Sequence, residues 1–187
     1  RNDYFIDLDV SAYHPTILSR LVGYDYGDGD IYGALAQIYK MEREEAKILT
    51  LKQINSKALA EYEGLEFFKK VGDYKNEMWE KFQNEGMVEV PISKHKFLKS
   101  ELEDMNPGKL LNYILQATET AFNVRIMWDM FRVLRGKKTK LVLLTYDAYT
   151  LDVDTEEESI LGNITDIFKK YKLNYTIKKG MNYDFGE

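Results

Sequence analysis

The stretch Tyr4-Phe5-Ile6-Asp7-Leu8-Asp9-Val10-Ser11-Ala12-Tyr13-His14-Pro15 decides how the chain is read. Ile6, Leu8 and Val10 fall on one face of a strand, and Asp7 and Asp9 fall on the other, by the period of two. A second stretch, Leu141-Val142-Leu143-Leu144-Thr145-Tyr146-Asp147-Ala148-Tyr149-Thr150-Leu151-Asp152-Val153, reads as two antiparallel strands turned at Asp147. Each segment sets an aspartate at a strand end, and two such ends can meet at one point. A Tyr-Asp-Ala-Tyr turn also lacks the Gly or Asn that a tight hairpin normally wants.

The segments between them are mostly helical. Pro15 can begin a helix continued by Ile17, Leu18 and Leu21, with Gly23 and Gly27-Asp28-Gly29 stopping it. Asp30 to about Ala60 predicts one or two helices, and Leu65 to Asn84 another, ended by Gly86. Met87 to Leu98 reads as a hairpin or extended arm. A long amphipathic helix from about Lys109 to Leu134 carries Leu111, Leu115, Thr118, Phe122, Ile126, Met130 and Val133 along one side. Thr155-Glu156-Glu157-Glu158 reads as a capping box for a helix with Ile160, Ile164, Ile167, Phe168 and Tyr171 inward, and Leu173 to Ile177 as a last strand. This order predicts an α+β fold, an antiparallel sheet backed by helices with a helical insertion.

The bulk numbers agree with one ample domain or one lobe of something larger. At 187 residues with 44% hydrophobic and 30% charged residues, the chain can bury a core and stay in water. It has no Cys, which excludes disulfides, cysteine-ligated zinc and thiol catalysis. No secretory pattern and no apolar run near the ~20 residues of a membrane span is read, so a cytoplasmic protein with no membrane partner is expected. The net charge of −5 argues mildly against a free-standing nucleic-acid binder.

Asp9 and Asp147 are the leading chemical candidates, because carboxylates converging from separate elements are how paired magnesium ions are held around a phosphate. That pattern points to nucleotidyl transfer; the ordinary alternative is two turn aspartates satisfied by backbone donors. Asp7 and Asp152 are lesser candidates, Asp152 reading as a solvated strand residue. Arg43, Lys47, Leu51 and Asn55 recur every four residues on one helical stripe, whose cations could hold a triphosphate while Leu51 packs under a base. Alternatively that helix is merely solvated, with Glu42, Glu44 and Glu45 balancing the bases. Lys94-His95-Lys96 is a basic cluster that could touch backbone phosphates or simply be a solvated turn. Gln116 could reach a base edge in a minor groove, or be a buried amide bonded to backbone. Neither His14 nor His95 has the spacing of a metal pair.

Taken together these segments resemble the polymerase domain of family A DNA polymerases, the bacterial DNA polymerase I type. Asp9-Val10-Ser11-Ala12-Tyr13-His14 lies where that family has Asp-Tyr-Ser-Gln-Ile-Glu, and Asp30-Ile31-Tyr32 is similar to its Asp-Ile-His. Arg43, Lys47, Leu51 and Asn55 fall on its Arg-x3-Lys-x3-Phe-Gly-x2-Tyr-Gly helix. Gly86-Met87-Val88-Glu89 with Lys94-His95-Lys96 resembles Gly-Tyr-Val-Glu-Thr-x2-Gly-Arg-Arg-Arg. Asn112-Tyr113-Ile114-Leu115-Gln116-Ala117-Thr118 matches Asn-x-Pro-x-Gln-Gly-Thr. Tyr146-Asp147-Ala148 stands for His-Asp-Glu, and Gly180-Met181-Asn182-Tyr183 for the terminal Gly-x-Asn-Trp. Each match alone is weak; their shared order along the chain is the stronger signal. The departures are His14 for a sugar-gating Glu, Leu51 and Asn55 for two aromatics, and Ala148 for a second carboxylate. His14-Pro15 is also similar to the Tyr-Pro of family B and of divergent phage enzymes.

The resemblance implies a polymerase palm with reduced fingers: residues 1–29 palm, 30–84 a fingers-like insertion, and 85–187 palm again. It implies DNA synthesis from dNTPs on a primer-template, by a catalytic C-terminal portion of a larger or split, phage-like enzyme that lies in the host cytoplasm. The thumb and exonuclease remainder would be a partner. Asp9, Asp147 and the Val10 carbonyl would bind two Mg²⁺ ions, with Mn²⁺ a substitute. Arg43, Lys47, Leu51, Asn55, Tyr13 and His14 would meet the nucleotide, Lys47 also acting catalytically. Asn112, Gln116, Lys94, His95 and Lys96 would meet DNA. A single-subunit RNA polymerase, a reverse transcriptase-like enzyme and a non-catalytic polymerase-like binding module are the alternatives.

Overall fold

Strand β1, Tyr4–Val10, lies inside a four-stranded antiparallel sheet. One neighbour is β5, Ala148–Val153, and the other is β6, Tyr175–Gly180, while β4, Lys140–Thr145, pairs outside β5 to give the order β4-β5-β1-β6. The computed structural model describes residues 2–27, 29–55, 62, 64–183 and 185. The alternation in β1 does what it predicts: Leu8 and Val10 are buried, and Asp7 and Asp9 lie half-buried on the opposite face.

The chain divides into two compact units, Arg1–Tyr13 with Phe122–Glu187, and His14–Ala121. The boundaries fall inside two helices, α1, Tyr13–Leu21, and the long α5, Pro107–Val133. The reason is that α5 serves two cores. Its first half gives Leu110 and Ile114 to one, and its second half gives Phe122, Ile126 and Met130 to the other.

In the unit that holds the sheet, Tyr149 of β5 and Phe168 of helix α6, Ile160–Lys170, meet edge to face with ring centroids 5.5 Å apart. Asp129 of α5 accepts from the Lys170 ammonium at 2.6 Å and from the Tyr171 hydroxyl at 3.0 Å, which ties α5 to the end of α6. Those two donors hold the Asp129 carboxyl below the usual carboxylate range.

The second unit contains α2, Ile31–Tyr39, α3, Arg43–Asn55, and α4, Glu66–Asn84. It also contains the two-stranded ribbon of β2, Met87–Glu89, and β3, Lys96–Leu98. Asp30 caps α2 by accepting from the backbone N–H groups of Tyr32 and Gly33. A core of Met78, Phe82, Val88, Val90, Leu110 and Ile114 joins α4, the ribbon and the first half of α5.

Four sequence expectations are corrected. Helix α1 starts at Tyr13, so Pro15 sits within its first turn, where a missing N–H costs nothing. Thr155 does not cap a helix; its N–H donates to Asp3, and Asp154 instead caps a short 3₁₀ turn, Thr155–Glu157, ahead of α6. The last strand begins at Tyr175 because Leu173 is buried behind a left-handed Lys172. Asp152 is not solvated: it is 8% exposed, and both its oxygens accept from the Asn2 N–H, at 2.9 and 3.0 Å. The part of the expected second helix at 56–60 lies outside the described residues.

Asp152→Ala therefore takes both acceptor oxygens from the part-buried Asn2 N–H and should lower unfolding stability by about 1 kcal/mol. Urea unfolding measures this, and a loss under ~0.5 kcal/mol, the range of an ordinary surface change, would contradict the burial argument.

Candidate active site

Asp9 and Asp147 come to adjoining positions through the β1–β5 register. Asp9 lies opposite Ala148, and the Val10 N–H donates to the Asp147 carbonyl at 3.1 Å. Strand spacing then sets the two aspartate Cα atoms roughly 6 Å apart. Val10 faces β5 with its backbone polar groups, so its carbonyl lies on the same side as Asp147. Both aspartates are half-buried. On the same sheet face, Asp7 accepts from the Thr150 hydroxyl at 2.9 Å and stands opposite Lys178.

The turn that carries Asp147 is bent by force of its surroundings. Tyr146 has φ +56°, a left-handed conformation that costs a bulky residue on the order of 1–2 kcal/mol. Asn123 of α5 holds it there, donating from Nδ2 to the Tyr146 carbonyl at 3.1 Å. The Asn123 Oδ1 accepts from the Tyr13 hydroxyl at 2.8 Å and the Tyr149 hydroxyl at 2.7 Å. One buried amide thus links the first residue of α1, the strand β5 and the turn. Tyr13, expected beside the nucleotide, is 4% exposed with its hydroxyl committed to Asn123, so it supports the site from behind.

His14 points its Nε2 at Glu119 Oε2, 2.6 Å away. On α3, Arg43 makes a two-pronged bond to Asp30, Nε to Oδ2 and Nη2 to Oδ1, each 3.1 Å. Its Nη1 donates to Glu44 at 2.7 Å, and Lys47 lies 3.9 Å from the other Glu44 oxygen. Glu44 lies beside both cations, as the ordinary reading of a solvated helix expects, while Glu45 accepts from the Glu42 N–H. Arg43 and Lys47 nevertheless remain 44% and 46% exposed and open to a ligand. Leu51 is half-buried, and the Asn55 side chain lies outside the described residues.

Gln116 is exposed, which removes the buried-amide alternative, and Asn112 on the preceding turn is half-buried. The Phe97 ring packs 5.7 Å from Tyr113 and His95 packs edge-on against Phe97, so the ribbon tip and the Asn112–Gln116 segment are neighbours. Lys94 is paired with Glu89 at 3.0 Å, and Lys96 faces Glu89 across the ribbon. Sequence reasoning missed Asn123 and Glu119. Asn123 gave only the weak signal of an amide beside Phe122 on an otherwise apolar side.

The candidate ligands, the Asp9 and Asp147 carboxylates and the Val10 carbonyl, are oxygens. Such a set suits Mg²⁺ or Mn²⁺ rather than zinc. Among the described residues no three acidic or imidazole side chains form an all-protein metal cage.

No family model and no curated protein matches the sequence. The fold is similar to a solved structure, the POL domain of Pol1 from M. smegmatis in complex with DNA primer-template and dNTP. The TM-score is 0.75 at 13% identity, over 97% of this chain. The chain spans 40% of the length of that solved chain. The shared architecture is the α+β arrangement of an antiparallel sheet backed by helices. Among the described residues no helix is long and apolar enough to cross a membrane.

Asn123→Leu should leave two tyrosine hydroxyls and a strained turn without their partner. We expect a stability loss of about 2–4 kcal/mol, at ~1–3 for each stranded buried group, read by thermal unfolding. A near-unchanged midpoint would mean that the turn does not depend on this amide.

Proposed function

We propose that the chain is the palm and reduced fingers of a family A-like, template-directed DNA polymerase, adding deoxynucleotides to a primer 3′-hydroxyl. The observation that carries the reading is that the register sets Asp9, at the end of β1, beside the turn residue Asp147, on a fold similar to a polymerase domain. Asp9, Asp147 and the Val10 carbonyl would hold two magnesium ions. Magnesium bound there supplies positive charge that favours the ionised primer hydroxyl and offsets charge on the transferring phosphoryl group.

The remaining roles follow the accessible side chains. Arg43, with Asp30 steering its guanidinium, and Lys47 take the β- and γ-phosphates, and Lys47 delivers a proton to the departing pyrophosphate. Three of the five Arg43 donors are engaged, which leaves two for a phosphate. Leu51 packs under the base, and His14 crowds the sugar 2′ position. Asn112 and Gln116 meet minor-groove edges of primer-template DNA, and Lys94, His95 and Lys96 meet its backbone phosphates. Thumb and exonuclease regions would be further partners in the grip on DNA, and the enzyme works in the cytoplasm. A non-catalytic binding module is the second reading, favoured by Ala148 standing directly opposite Asp9 where a further carboxylate would fit.

Primer extension separates these readings. Asp9→Asn and Asp147→Asn should each reduce extension by about a thousandfold or more, the scale of losing a charge the metals require, with unfolding midpoints unchanged. Extension by both variants at the parental rate would overturn the assignment, and preference of the parent for rNTPs would favour an RNA polymerase.

Lys47→Ala should raise the nucleotide KM and lower kcat, because one cation meets both ground-state and transition-state phosphates. Glu44→Gln should do the reverse to KM, lowering it about two- to fivefold, since an exposed carboxylate competing for both cations is worth roughly 0.2–1 kcal/mol. Steady-state nucleotide titrations decide this, and equal effects in the same direction would return α3 to the reading of a plain solvated helix.

A further inference from the structure

We infer that Glu119 is a positioning residue that locks the His14 imidazole and so sets the enzyme's choice of 2′-deoxynucleoside triphosphates. This rests on the polymerase reading above and deepens it at one residue. At 2.6 Å, Nε2 and the Glu119 oxygen are too close for two lone pairs to face each other, so a proton lies between them. With the carboxylate ionised, Nε2–H donates into α5 and Nδ1 is turned to the opposite edge of the ring. The carboxylate thereby fixes both the ring plane and which nitrogen carries hydrogen.

The backbone at His14 is restrained as well. Ala12 takes a left-handed φ of +51°, and Tyr13 is buried with its hydroxyl on Asn123. A ring whose backbone and far nitrogen are both held cannot swing aside. The Glu119 side chain is 19% exposed and that of His14 31%, so the pair is sheltered on its α5 side while part of the imidazole stays accessible. A fixed wall of this kind rejects a substituent as small as one hydroxyl, whereas a mobile ring would yield to it. The neighbouring hydroxyls of α5 bond back to their own helix, Thr118 to the Ile114 carbonyl and Thr120 to the Gln116 carbonyl. A simple structural tie between α1 and α5 would also place these residues together, but removing it would change stability and leave sugar choice alone.

The test is single-turnover incorporation of dATP against ATP by the full polypeptide. The variants are Glu119→Gln, Glu119→Ala, Glu119→Met, His14→Ala and the double change Glu119→Ala/His14→Ala. Glu119→Ala and Glu119→Met should each cut the dATP:ATP ratio of kcat/KM about tenfold, while Glu119→Gln, which keeps an acceptor, holds the ratio within about threefold of the parent. The double variant should lose no more than His14→Ala alone, since both act through one ring. Glu119→Met retains side-chain bulk if the alanine variant does not fold. If His14→Ala relaxes the ratio and neither Glu119→Ala nor Glu119→Met does, the positioning role is wrong and the polymerase reading stands. If His14→Ala leaves the ratio unchanged in an enzyme that needs Asp9 and Asp147, sugar selection at His14 is wrong. A parent that incorporates neither nucleotide overturns the polymerase reading and this inference with it.

Discussion

The hydrogen-bonded register between β1 and β5 is the constraint on which the candidate chemistry depends. It runs from Tyr4 opposite Val153 to Asp9 opposite Ala148, and closes with the Val10 N–H on the Asp147 carbonyl. A slip of one residue would send Leu8 and Val10 to the face now held by Asp7 and Asp9. The buried set Leu8, Val10, Tyr149, Leu151 and Val153 forbids that slip. Burial of one sheet face therefore aligns the two carboxylates, and no direct attraction between them is needed.

Asn123 extends that constraint from strands to turn. A left-handed Tyr146 is costly alone, and the residue following it bears the carboxylate, so relaxing the turn would move Asp147. The amide answers the turn carbonyl and two tyrosine hydroxyls at once. With all three of its partners satisfied, the network is rigid; with one missing, it would leave buried polar groups exposed to a low dielectric. The same helix carries Glu119 one turn earlier, so α5 supplies side-chain restraints both to the turn holding Asp147 and to His14.

Much of the architecture was legible because its signals were periodic. Period-two alternation placed β1, and the glycines at 23 and 86, both with positive φ, marked where helices stop. The antiparallel pair around Asp147 was legible for the same reason. What sequence could not give were contacts between residues remote in the chain. Asp152 read as solvated because nothing local reveals that the Asn2 N–H will sit on it. Tyr13 is buried with its hydroxyl on Asn123, 110 residues away, and nothing local to Tyr13 reveals that contact. Asp154 rather than Thr155 caps the turn before α6, because Asp3 takes the Thr155 N–H for itself.

The acidic balance of the chain looks different once its partners are known. Asp30 and Glu44 hold Arg43, Glu44 also approaches Lys47, and Glu89 meets Lys94, so three carboxylates of this unit sit beside the very cations assigned to phosphates. Exposed pairs of this kind contribute little to stability. Their larger consequence is electrostatic, because they lower the local positive potential that would otherwise attract any polyanion. Cations arranged this way bind phosphate well only where it displaces a carboxylate with better geometry. On the sheet, Ala148 works in the same direction: a carboxylate there would stand directly across from Asp9, about 5 Å away, and like charges so placed repel. An alanine at that position leaves Asp9 and Asp147 as the acidic neighbours at the strand end, with less repulsion to offset when no metal is bound.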